Sequence, residues 1–245
     1  MYGLLYKDFI VNRKNMLIVS LAAAFMYILE FAGLIPSDDS TNTSDMPFLF
    51  QTINVISTVS AFMVIGMFQN SIYEQDEKKK YAYYITASEA GIRAHVQEKY
   101  LFSYLISVFC MIQCILLNAL AIDIAKNEYN DSTLCVMLFF VQIFMRAVEI
   151  PFTMAFGAKR GNNVKGIVII IIFLIALIYF LFGDLSVFGT IDNFWENFFK
   201  LFDIDENPKI ILGLSLAGLG ALGCYYVSYR ISCKVYLKGV ENYAK

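Results

Sequence analysis

The chain has 245 residues, 58% of them hydrophobic and only 16% charged, with a net charge of −2. That balance excludes an ordinary soluble domain, and no nucleic-acid partner is expected of it. Six apolar segments, roughly Met16–Ile35, Phe48–Tyr73, Tyr100–Ile122, Leu134–Ala158, Ile167–Phe188 and Ile210–Ile231, are each long enough to cross a hydrocarbon core about 30 Å thick. The expected fold is an all-α integral membrane protein of six transmembrane helices, one domain over residues 1–245.

The basic residues fix an expected orientation. Fifteen Lys and Arg flank these segments at the N-terminus, the second and fourth connections and the C-terminus, among them Lys7, Arg13, Lys78, Lys79, Lys80, Arg93, Lys159 and Arg160. Only Lys126, Lys200 and Lys209 fall in the first, third and fifth connections. Positive charge is retained on the cytoplasmic side, so both termini are predicted to be cytoplasmic. The opposite loops collect acids, from Asp38 and Asp39 to Asp205 and Glu206, giving a negative outer face. A basic inner rim suits anionic lipid headgroups or an acidic partner surface, although topology alone accounts for most of it.

Residues 1–15 place Tyr2, Leu5, Tyr6 and Phe9 at helical spacing, with Lys7, Asp8 and Arg13 off that stripe. An amphipathic helix lying in the interface plane is expected there, before the chain turns inward. Met16–Ile35 is too long for a signal-peptide core and is followed by no small-x-small cleavage site, so it reads as a retained first span. Glu30, near its outer end, can snorkel outward.

The second segment is polar for a span, with Gln51, Thr52, Asn54, Ser57, Thr58, Ser60, Gln69 and Asn70. Such groups must be paired or wetted, so this helix either packs centrally or lines a solute path. Residues 74–99 form the long cytoplasmic connection and hold the chain's one histidine, His95. In the fourth segment Arg146 and Glu149 stand three residues apart and can meet along one face. They form either a packing ion pair or a polar patch in a translocation cavity.

The fifth segment has one polar side-chain atom in residues 167–182, the Tyr179 hydroxyl, and is expected to face lipid. Between the last two segments, residues 183–209 place Phe194, Trp195, Phe198, Phe199 and Phe202 on one helical face and Glu196, Asn197, Lys200 and Asp203 on the other. An external amphipathic helix is expected, anchoring at headgroup depth or gating the outer side. The sixth segment carries Gly213, Ala217 and Ala221, then Gly220, Cys224 and Ser228, at four-residue spacing. Close packing is expected along it, within the subunit or between subunits.

Catalytic chemistry has little footing. A single histidine disfavours histidine-based metal sites and relays, and the five cysteines read as packing residues. The phosphate-loop pattern Gly-x-x-x-x-Gly-Lys-Ser/Thr does not occur. No catalytic residue, metal or cofactor site is expected, and the chain is not expected to be an enzyme.

Three stretches carry a family resemblance: Gly3-Leu4-Leu5-Tyr6-Lys7-Asp8, the connection Ser71–Lys80 with Val96-Gln97-Glu98-Lys99-Tyr100-Leu101, and Ile150-Pro151-Phe152 followed by Phe156–Gly161. Together, and in order over nearly the whole chain, they resemble small six-span permeases of the type-2 ABC exporter class. The chain is similar to permease subunits that export phenol-soluble modulins and related antimicrobial peptides. The resemblance implies a coupling helix within Tyr84–Val96 that docks on a separate ATPase, with Tyr84, Thr86, Ser88, Glu89, Gly91 and Arg93 as its candidate contacts. Relatives often carry a Leu-Pro-x-Ser-Arg-like turn there, where this chain reads Ser88-Glu89-Ala90-Gly91-Ile92-Arg93.

It further implies two ATPase copies holding ATP and Mg, and a second permease chain, identical or a sister. The cargo would be an amphipathic peptide or a lipid-like molecule. The alternative is a membrane sensor or immunity protein that binds toxic peptides without moving them. Abundant Lys, Asn, Ile, Phe and Tyr point to an AT-rich bacterial genome, and the expected location is the cytoplasmic membrane of a Gram-positive bacterium.

Overall fold

The computed structural model describes residues 2–31, 46–78, 91–125, 132–182 and 209–243, and every element among them is helical. In chain order these are α1 (Tyr2–Phe31), α2 (Met46–Lys78), α3 (Gly91–Ala125), α4 (Ser132–Phe156), α5 (Ala158–Phe182) and α6 (Lys209–Tyr243). In α3 to α6, the stretches Gly91–Leu120, Ser132–Phe156, Ala158–Tyr179 and Ile211–Tyr236 are long and apolar enough to cross a membrane. A shorter apolar stretch, Val55–Gln69, lies in α2. Helices suit this solvent because each satisfies its own backbone hydrogen bonds without water.

Two buried clusters hold the described helices together. The larger joins Phe62, Ile65 and Phe68 of α2, Phe102, Ile106 and Cys110 of α3, and Cys135, Phe139 and Ile143 of α4. The smaller joins Tyr73, Val96, Tyr100, Ile150, Met154 and Tyr236 at the other end of the same helices. Cys110, Cys114 and Cys135 are buried in this interior and form no disulfide, which fits the packing role expected of them.

Helix α1 departs from expectation in two ways. It is uninterrupted across residue 15, so the amphipathic start and the first apolar segment are one helix about 45 Å long. Nothing between Asn12 and Met16 breaks it, and the Asn12 side chain donates back to the Asp8 carbonyl at 2.9 Å. The inward face is also rotated from the Tyr2–Leu5–Tyr6–Phe9 stripe. Leu5 and Phe9 pack on the core, Asp8 and Asn12 are buried, and Tyr6 is 67% exposed. The partner that draws Asp8 inward, Lys99, lies on α3 and is invisible to a local periodicity.

The polar side of α2 turns inward. Ser57, Thr58 and Gln69 are buried, and the Gln69 amide donates to the Ser103 carbonyl at 3.0 Å. Its opposite face, with Met63 and Met67, is exposed. Among the described side chains, Ser57, Thr58 and Gln69 pack inward, while Ser60 is exposed and an apolar face with Met63 and Met67 meets open space.

One residue joins α4 to α5. Gly157 takes φ 92°, a conformation that side-chain-bearing residues rarely adopt, and the chain reverses there. At Gly161 a Cβ would fall 1.9 Å from Thr153 Oγ1 and 2.9 Å from Thr153 Cα, so only hydrogen lets the two helices meet. Beyond that contact α5 leaves the bundle, and Phe173, Ile175 and Phe182 are exposed, as its composition predicted.

On α6 only part of the four-residue stripe packs within the chain: Ala221 and Ser228 are buried, while Gly213, Ala217, Gly220 and Cys224 are exposed. Gly213 and Gly220 have nothing within 4 Å of a would-be Cβ, whereas Gly218 is pressed against the Phe140 ring at 2.5 Å. Ala221, Ser228 and Ser232 are buried on the same side. The remaining small residues border a cleft.

Candidate functional site

That cleft lies between α2, α4, α5 and α6 and has a volume of about 1420 Å³. Met63 and Met67 contribute one wall, Met137, Val141 and Met145 another, Ile169 and Ile172 a third, and Gly213, Ala217 and Gly220 the fourth. Methionine is unbranched and polarizable, so such walls adapt to apolar ligands of varied shape. Small residues on α6 make the room that Leu or Phe would fill.

One end of the cleft is cationic. Arg146 and Lys165 line it, and no carboxylate lines it among the described residues. Behind them Glu149 is almost fully buried; it accepts from Arg146 Nη1 at 2.7 Å and lies 3.7 Å from Lys165 Nζ. Arg146 Nη2 also donates to the Gly66 carbonyl of α2 at 2.8 Å. The expected Arg146–Glu149 pair is therefore formed. It is one side of a three-charge group with a net single positive charge. A charge at this depth costs several kcal/mol unless partnered, which the pairing supplies.

A second polar link ties α3, α4 and α6 together. Pro151 inside α4 has no N–H, so the Ala147 carbonyl loses its ordinary helical donor. Ser228 of α6 replaces it, its hydroxyl donating to Ala147 O at 2.5 Å. That commits the one Ser228 proton, so Tyr100 of α3 donates to Ser228 at 2.6 Å, and Ser232 donates to Tyr100 at 2.7 Å. Tyr225 closes the link by donating to the Tyr100 carbonyl at 2.7 Å. Ser228→Ala is expected to lower stability by about 1–3 kcal/mol, the penalty for orphaning a buried carbonyl. A lowered thermal midpoint of the purified chain in detergent checks it; an unchanged midpoint would mean that Ala147 finds another donor.

The third feature sits at the start of α3, directly after residues 79–90. Lys99 Nζ meets Asp8 Oδ2 of α1 at 2.6 Å and Glu98 Oε1 at 3.6 Å, and His95 Nδ1 lies 3.3 Å from Glu98 Oε2. All four residues are buried. Burial, then the neighbouring Glu98, holds the Asp8 carboxyl above its ordinary range, and Lys99 opposes that shift. The His95 ring also lies 5.7 Å from that of Tyr236 on α6. Displacement of the first turns of α3 would thus be felt by both α1 and α6.

Of the residues singled out from sequence, Arg146 and Glu149 meet, Gly91 begins α3 with φ 67°, and Arg93 is exposed in its first turn. Tyr84, Thr86, Ser88 and Glu89, and the aromatic face Phe194, Trp195, Phe198, Phe199 and Phe202, lie outside the described residues. Glu30 and Asn54 lie on α1 and α2, with side chains outside the description. Sequence reasoning missed the cleft, Lys165, and the Asp8–Lys99 and Tyr100–Ser228 links. Only the Met63/Met67 pair, one turn apart, hinted at the cleft.

Among the described residues the chain is an all-helical bundle with apolar stretches long enough to cross a membrane and a cleft between them. The model of one family, described as ABC-2 family transporter protein, matches residues 3–237. The chain belongs to that ABC-2 family. No curated protein and no solved structure shows significant similarity to it. ABC-2 membrane proteins are the multi-pass permease component of their transporters, and ATP hydrolysis lies in a separate ABC ATPase subunit.

Proposed function

We propose that this chain is the permease subunit of an ABC exporter that carries amphipathic peptides or lipid-like molecules out through the cytoplasmic membrane. Two permease chains, alike or sisters, flank the pathway, and two ATPase subunits bind ATP and Mg beneath them. In this reading there are six spans and both termini are cytoplasmic, as the distribution of basic residues indicates. ATP-driven closure pushes on residues 84–96, and the Lys99–Asp8 and Tyr100–Ser228 links carry the push into α1, α4 and α6.

The observation that carries this reading is the methionine-walled, cationic-ended cleft. It is larger than the range of about 300–1,000 Å³ usual for small-molecule pockets, which favours a bulky amphipathic cargo. The decisive experiment is a pull-down of the full chain, in mild detergent, from its own cell membranes. An ABC ATPase is expected to co-purify, and Glu89→Ala with Arg93→Glu is expected to release it while the chain remains folded. If no ATPase is recovered under gentle conditions, the reading falls to a membrane sensor or immunity protein that binds peptides without moving them.

A further inference from the structure

We infer that the cleft between α2, α4, α5 and α6 binds an anionic lipid, its chains along the methionine-lined walls and its headgroup at Arg146 and Lys165. The inference deepens the permease reading by naming a ligand class for its cleft, and it depends on that reading only for the lipid's role as cargo.

The charge pattern comes first. Both charged residues on the lining are cations, and Glu149, which neutralises one of them, is withdrawn behind the wall. The group keeps one net positive charge facing an apolar space, so a headgroup with a single negative charge completes it. A neutral lipid leaves that charge uncompensated at low dielectric, and a cationic one opposes it.

Shape and position agree. From Thr133 to Arg146 the cleft follows α4 for about 20 Å, enough for the apolar chains of one leaflet, which is half of a core about 30 Å thick. The cationic end adjoins the first turns of α5, where Lys159 and Arg160 are exposed. Basic pockets at the cytoplasmic ends of spans are sites where anionic headgroups are held. A helical peptide fits less well. It would bring a polar face along its whole length, whereas the lining's polar side chains, apart from Thr133 at the far end, gather at the cationic end as Gln142, Arg146, Asn162 and Lys165.

The test uses the full-length chain in nanodiscs of phosphatidylcholine, with radiolabelled phosphatidylglycerol as the probe and labelled phosphatidylcholine as its neutral counterpart. Phosphatidylglycerol is expected to be retained at least about tenfold more tightly, the order produced by one contact to a charged group. Lys165→Gln is expected to erase most of that preference. Gly220 has open space around a would-be Cβ and lines the cleft, so Gly220→Phe projects its ring into that space and is expected to weaken retention of the labelled lipid.

Equal retention of the two lipids overturns the inference. So does a preference that survives both variants, or displacement of the lipid by an acidic amphipathic peptide at equal concentration. If Gly220→Phe instead dissociates a dimer and leaves lipid retention unchanged, a second copy of the chain occupies the cleft and the lipid assignment fails. The ATPase pull-down decides the exporter reading separately, although a second copy in the cleft would withdraw the cleft as support for it.

Discussion

Lys99→Met is expected to destabilise the chain by about 3–5 kcal/mol, the range for breaking a buried ion pair from one side. Lys99 is 2% exposed and stands between two carboxylates, Asp8 at 2.6 Å and Glu98 at 3.6 Å. Removing the ammonium leaves two buried carboxylates on the same polar cluster; among the described residues Lys7 lies 3.1 Å from Asp8 and His95 3.3 Å from Glu98. The loss should shrink on acidification. Burial already holds Asp8 above the usual carboxylate range, so the folded state binds its proton more readily than the unfolded chain does. An acid shifted that way stabilises the fold as pH falls through its folded pKa, and withdraws that stabilisation as pH rises through the same window. The thermal midpoint of Lys99→Met should therefore lie far below wild type at neutral pH and approach it in mild acid. Adding Asp8→Asn should recover part of the loss at neutral pH. A deficit independent of pH would mean that the packing of the lysine stem, not its charge, holds α1 to α3.

Legibility of the fold followed the range of the interaction. The apolar runs around Tyr100–Ile122 and Leu134–Ala158 were readable because a membrane selects by length and composition, both local properties. The lipid-facing nature of α5 was readable for the same reason, since one uniform apolar surface needs no partner. The Arg146–Glu149 pair was readable because residues three apart on a helix are neighbours wherever the helix lies.

What stayed hidden is relational. Asp8 looked like a solvated residue off an apolar stripe, because nothing near it in sequence announces Lys99. The small residues of α6 looked like a packing seam, since glycine and alanine spacing reads identically whether a helix or an empty volume sits opposite. Pro151 denies Ala147 its helical donor, and the replacement comes from Ser228, far along the chain. Lys165 looked like part of a basic cytoplasmic run, and only the meeting of α4 and α5 at Gly161 brings it to Glu149.

Arg146→Met tests that last meeting. It breaks the 2.7 Å bond to Glu149 and removes the donor to Gly66 O, yet it leaves Lys165 3.7 Å from the same carboxylate. A residual counterion softens the loss, so the expected effect is toward the lower end of about 3–5 kcal/mol and smaller than that of Lys99→Met. Replacing both members, Arg146→Met with Glu149→Gln, should restore most of the stability, because a buried pair exchanged for uncharged groups is often neutral. Lys165→Gln alone should lower stability by less than about 1 kcal/mol, as for a partly exposed ion pair. In the Arg146→Met background the same substitution removes the last nearby cation, and the two losses should exceed their sum by more than about 0.5 kcal/mol. Thermal or denaturant midpoints of the four variants in one detergent measure this cycle. Strict additivity would mean that Glu149 answers to Arg146 alone, and that Lys165 points its charge into the cleft without sharing the carboxylate.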